Sequence, residues 1–222
     1  MTSYEKHLQQ RGLTEYSLDG AIDPTKWAES NVRILFLLKE TYGYQRCGVN
    51  RVTDCVHGWL DANIPTYVKA TALAAALQIG CERGYSLTAE EVIVLSTDQP
   101  RFHRVLDTIA MVNIKKHSGH ARSNDAEIRR ESRLNAPILN TQIEALSPTV
   151  VIAGGTVCWH SLVYDLSLFS SAPNCPKNQS VVCNNKVLCH SNHPSAWSGG
   201  GFNIHALHCS ILSALHETQP SS

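Results

Sequence analysis

The segment Val-Arg-Ile-Leu-Phe-Leu-Leu at 32–38 constrains the fold more than any other part of the chain. A strand-length run that is apolar at nearly every position has no polar face to turn to water, so it belongs inside a sheet covered on both sides. Three further apolar runs of strand length follow, TIAMVN at 108–113, TVVIA at 149–153 and KVLC at 186–189. Helical segments separate them. Strands that alternate with helices build a mainly parallel sheet through crossover connections. The expected fold is therefore α/β, a three-layer α/β/α sandwich around a central four-stranded, mainly parallel sheet.

Local signals punctuate that frame. Asp23-Pro24 starts a short helix, with a capping carboxylate before a proline at the first turn. Helices are expected over 53–62 and 67–82, the second ending near Gly84. Thr88 and Glu91 have the spacing of a capping box. Asn124, with Glu127 three residues on, starts a helix to about residue 145, which Pro148 closes off. Asn184-Asn185 reads as a tight hairpin between 181–183 and the fourth strand, because asparagine tolerates positive φ. A last helix is expected over 203–217.

With 222 residues, 43% of them hydrophobic, the chain can bury a real core. No linker or repeat divides it, so one domain over 1–222 is expected. The first ten residues are polar, and nowhere do about 18 apolar residues run together. The expectation is a cytoplasmic monomer with no membrane contact. The eight cysteines form no CxxC pair. They read as small buried residues, and no metal or cofactor is expected, although Cys175, Cys183, Cys189 and His190 are residue types that zinc and iron-sulfur sites use. Net charge is zero, so any nucleic-acid contact must be local. The basic stretch holding Lys115, Lys116, Arg122, Arg129, Arg130 and Arg133 is the candidate, with a solvated helix face as the alternative for 129–133.

In a parallel sheet, ligands bind beyond the carboxyl ends of the strands. Glu40 and Tyr42 follow the first run, Asn113 and Lys115 the second, Gly154-Gly155-Thr156 the third, and His193-Pro194-Ser195 the fourth. These residues resemble the uracil-DNA-glycosylase superfamily. Leu38-Lys39-Glu40-Thr41-Tyr42-Gly43 stands where its best-known branch has GQDPYH, and His193-Pro194-Ser195 matches its HPS triplet. Val112 to Lys116 (VNIKK) resembles the TNVVK strand end of bacterial branches. The similarity runs in order through about 32–207.

The resemblance implies a DNA glycosylase that hydrolyses the N-glycosidic bond of a flipped-out base and leaves an abasic site, in single- or double-stranded DNA. Glu40 would align a water and stabilise positive charge on the sugar, and His193 would donate to the departing base. Asn113 would read the base edge, Tyr42 would wall the pocket, and Tyr44, Phe102 or Trp59 would stack on the base. Ser195, Lys115, Lys116 and the Gly155-Thr156 turn would contact DNA, and Trp197, beside the glycine run 199–201, would wedge the duplex. Bland alternatives are a salt-bridged glutamate, a loop-capping histidine and an asparagine that satisfies neighbouring backbone.

Glutamate replaces the aspartate of the first motif, threonine its proline, lysine its glutamine and Gly43 its histidine. The expected substrates accordingly include uracil, deaminated purines and bulky modified pyrimidines of the kind found in phage DNA, in repair or in antiphage defence. Attack on the sugar by Lys39, Lys115 or Lys116 is the alternative to a monofunctional hydrolase. A catalytically silent DNA- or nucleotide-binding module and a hydrolase of free nucleosides are the rival functions.

Overall fold

The computed structural model describes residues 3–41, 49–95, 99–119, 122–197 and 202–218. The chain enters through α1 (Ser3–Gln10) and two short strands, β1 (Tyr16–Leu18) and β2 (Gly20–Ala21). Asp23 caps α2 (Pro24–Glu29), accepting the amides of Thr25 and Lys26 at 2.9 and 3.2 Å. The apolar run becomes β3 (Ile34–Leu38), buried at every position. β4 (Val49–Arg51) pairs with β1 in a small separate parallel sheet.

Four helices, α3 (Val56–Asp61), α4 (Pro65–Arg83), α5 (Ala89–Leu95) and α6 (Gln99–Asp107), lie along the described path to β5 (Ile109–Asn113). Gly84 ends α4 at a φ of 74°, which an L side chain resists. Thr88 and Glu91 exchange hydrogen bonds of 3.2 and 2.8 Å at the start of α5. Asn124 caps α7 (Asp125–Leu146), which leads to β6 (Val150–Gly154) and α8 (Thr156–His160). β7 (Gln179–Cys183) and β8 (Lys186–Ser191) form the hairpin, turning through Asn184 and Asn185 at φ of 52° and 57°. α9 (Phe202–Thr218) is the last described element.

The main sheet has the order β2-β5-β3-β6-β8-β7. Its parallel centre, β5-β3-β6-β8, consists of the four runs expected from the sequence. The expected count of four strands is corrected to six among the described residues, because antiparallel β2 and β7 add an edge on each side. β2 is only two residues long and begins with glycine, so it carries no apolar run. β7 is mostly half-buried, as an edge strand should be.

Alternate residues of the central strands enter two separate cores, which makes the architecture three-layered. Ile34, Phe36 and Met111 pack with α3, α4, α6 and α9. Leu35, Leu37 and Val112 pack with α7 and α8 on the other face. Burial on both faces is what the unbroken apolar runs require. No helix among the described residues is long and apolar enough to cross a membrane.

Candidate functional site

Because β3, β5, β6 and β8 run parallel, their carboxyl ends share one edge, and a cleft of about 440 Å³ opens there. That volume is in the range of small-molecule sites. Glu40, Asn113, His193 and Ser195 all line it. The sequence therefore leads to one physical site from three different strand ends.

Glu40 is positioned by an extension of the β3–β5 pairing beyond the strands. Ile114 N–H donates to Leu38 O, Lys115 N–H to Lys39 O and Gly119 N–H to Thr41 O, each at 2.9 Å. The Glu40 side chain is only 2% exposed, and Lys115 Nζ lies 3.0 Å from its Oε2. Neither Glu40 oxygen has a further hydrogen-bond partner among the described residues. Gly119 packs so closely that a Cβ there would overlap the carboxyl group. The salt-bridged glutamate and the cleft-lining glutamate are thus the same residue.

Asn113 sits at the last position of β5 and is 4% exposed. Its backbone N–H and its side-chain Nδ2 both donate to Asp19 Oδ2, at 2.7 and 3.2 Å. Lys116 Nζ and Gln142 Nε2 donate to Asp19 Oδ1, at 2.8 and 2.9 Å.

His193 follows β8. Its Nδ1 receives the Ser195 backbone N–H at 3.3 Å and lies 2.8 Å from Ser195 Oγ. A backbone amide can only donate, so Nδ1 is the acceptor, the serine hydroxyl donates to it, and the proton of the neutral ring is on Nε2. Burial, with the Lys39 charge adding to it, lowers the pKa of His193 to about 4. Near pH 7 it is a neutral Nε2–H donor.

Trp59 and Tyr67 form the apolar wall, with ring centres 4.9 Å apart. α3, which carries Trp59, is tied to α6 by a line of side chains. His103 Nε2 meets Asp61 Oδ1 at 2.8 Å, the two histidine Nδ1 atoms meet at 2.8 Å, and His57 Nε2 meets Asp107 Oδ1 at 2.7 Å.

Several expected contacts are corrected. Lys115 and Lys116 are 1% and 0% exposed and are held by Glu40, Glu127 and Asp19, so neither faces a DNA phosphate. Burial lowers the Lys115 pKa, but hydrogen bonds to Glu127 and Glu40 outweigh it and leave the pKa raised, which removes it as a nucleophilic amine. Phe102 is fully buried in the helical core and cannot stack on a base. Trp197 is 2% exposed and donates Nε1–H to Asn192 O at 2.9 Å, so it is a structural plug and not a wedge. Gly155 has its amide directed at Ala153 O and Ser191 O, at 3.0 and 2.9 Å, which closes it as a phosphate donor. Thr156 is exposed at the start of α8.

Arg122, Arg129, Arg130 and Arg133 remain exposed. Tyr42, Tyr44 and the glycine run 199–201 lie outside the described residues. Among the described residues, no three His, Cys, Asp or Glu side chains are grouped to hold a metal. Asp19, Gly119, Glu127 and Tyr67 are the site residues that sequence reasoning missed. Tyr67 carried a local signal as an aromatic at the start of a predicted helix, and Glu127 only that of a helix-capping position. Compared with protein-family models and with curated proteins, the chain matches none.

Proposed function

We propose that the chain is a DNA glycosylase, resembling the uracil-DNA-glycosylase superfamily, that hydrolyses the N-glycosidic bond of a flipped-out damaged or modified base. The observation that carries this reading is the pairing in one cleft of a buried carboxylate, Glu40, ion-paired to Lys115, and a neutral imidazole donor, His193. N-glycosidic cleavage develops positive charge on the sugar and negative charge on the base. Glu40 stabilises the first and accepts a proton from the attacking water. His193 Nε2–H donates to a carbonyl oxygen of the leaving base, and that hydrogen bond strengthens as the oxygen becomes anionic. Asn113 pairs with the base edge, and the Trp59–Tyr67 wall stacks on its face. The substrate range proposed is uracil, deaminated purines and bulky modified pyrimidines, in repair or in defence against modified DNA.

The test is incubation with single- and double-stranded oligonucleotides, each carrying one uracil, hypoxanthine, xanthine or hydroxymethyl-derived cytosine. Alkali-labile sites are expected at one or more of these bases. Absence of abasic product across the panel, from folded protein, overturns the reading.

A second reading, hydrolysis of free nucleosides or nucleotides, is favoured by one observation. With Lys115 and Lys116 buried, the expected basic patch loses two of its cations. Release of free base from nucleosides, with every oligonucleotide left intact, would select it.

A further inference from the structure

We propose that Asp19 is a positioning residue that decides which end of the Asn113 amide faces the cleft. Its role in the reaction rests on the glycosidase reading. Asp19 lies between β1 and β2, and its side chain has no exposed surface. Its Oδ2 accepts twice from Asn113, at 2.7 Å from the backbone and 3.2 Å from Nδ2. A carboxylate oxygen only accepts, so the amide must turn its nitrogen inward. The Asn113 carbonyl oxygen is then left for the cleft that this residue lines.

The other Asp19 oxygen is filled. Lys116 Nζ and Gln142 Nε2 occupy Oδ1 at 2.8 and 2.9 Å, and Lys116 Nζ also donates to Gln142 Oε1 at 3.0 Å. Gln142 Nε2 further donates to the Asp19 backbone carbonyl at 2.9 Å. Both amides in this cluster therefore have one orientation each. An acceptor held toward the cleft selects base edges that present a ring N–H, as in uracil, hypoxanthine and xanthine. It disfavours edges with a bare ring nitrogen, as in cytosine derivatives.

Replacing Asp19 alone would take its charge from beside the Lys116 ammonium, so the test variant is Asp19→Leu with Lys116→Met, which replaces the buried ion pair by apolar side chains and leaves Asn113 no acceptor at position 19. Gln142→Ala is the control, since it loosens the same cluster without touching Asn113. Two quantities are read by NMR and by gel assay: hydrogen exchange of the Asn113 side-chain amide, and the ratio of excision from ring-N–H bases over cytosine derivatives. In the double variant the amide protons should exchange at least tenfold faster and the ratio should fall about tenfold, the worth of one hydrogen bond. Gln142→Ala should leave the ratio within about twofold. Slow exchange persisting in the double variant overturns the proposal, and so does an unchanged ratio with the amide released. Wild-type protein that excises nothing defeats the glycosidase reading alone, and the exchange measurement still decides what holds Asn113.

Discussion

Lys115 Nζ stands between two carboxylates, 3.0 Å from Glu40 Oε2 and 2.9 Å from Glu127 Oε1, with 1% of its side chain exposed. The ammonium thereby lies against a carboxylate that is itself almost fully buried. Removing one member of a buried ion pair leaves its partner uncompensated, at a cost of about 3 kcal/mol. Lys115→Met should lower stability by about that amount in urea or thermal unfolding. Glu127→Gln should cost less than about 1 kcal/mol, because Glu127 is 24% exposed and water screens the loss. Equal losses in the two variants would mean that the charge of Glu40 is not the quantity being balanced.

Glu40→Gln keeps the shape of the side chain and removes its charge. If the carboxylate stabilises the cation-like sugar, single-turnover excision should fall by about a hundredfold or more, while the affinity for uncleaved DNA measured by anisotropy stays within about threefold. A catalytically silent binding module would show no turnover in either protein.

Gly119→Ala tests placement of the same group from its neighbour. The added Cβ would meet the end of the Glu40 side chain, not backbone. That side chain is buried and ion-paired, so displacing it should cost about 1–3 kcal/mol of stability while activity drops at least about tenfold. Thermal melting and excision rates on the same preparation separate the two effects. A variant with full activity would show that Glu40 does not need this position.

How far the sequence reaches depends on how local the signal is. β3, β5 and β6 are legible because burial on both faces writes an unbroken apolar run, and the residues that follow those runs point to the cleft edge. β2 is not legible, since two residues beginning with Gly20 hold their place only by pairing with β5. Lys115 and Lys116 look like phosphate contacts because a row of charges does not reveal its partners. Asp19 is 97 positions from Lys116 and 94 from Asn113, and no local pattern links them. Phe102 and Trp197 fail as DNA contacts for the same reason, since an aromatic reads alike whether it faces a ligand or the core.

Trp197 distinguishes a wedge from a plug. Its ring is buried with α4 and α9, its Nε1–H is bonded to Asn192 O, and its carbonyl receives Lys69 Nζ. Those contacts hold the loop that carries His193. Trp197→Ala should cost about 3–5 kcal/mol of stability, as expected for a large ring removed from a core. A wedge would instead lose DNA affinity with stability unchanged, and the two outcomes separate in one thermal melt and one binding titration.

The pH profile follows from His193. Its pKa is lowered from 6.5 to about 4, by burial first and by the Lys39 charge second. Excision should therefore stay level as the pH falls through 6.5 and decline only as the ring gains its second proton near 4, where the proton on Nδ1 would displace the Ser195 contacts. Stability moves in the same interval. Between 6.5 and about 4 the unfolded chain binds a proton at this histidine that the native chain refuses, so acid removes stability across that window and no further below it. His208, buried beneath Leu87 and likewise lowered to about 4, adds to the same loss. Rates must therefore be divided by the folded fraction at each pH. Lys39→Ala removes only the second cause, and should move the acid limb upward while leaving it below 6.5. A limb already at 6.5 in the wild-type protein would mean that His193 meets solvent freely and is not the neutral donor.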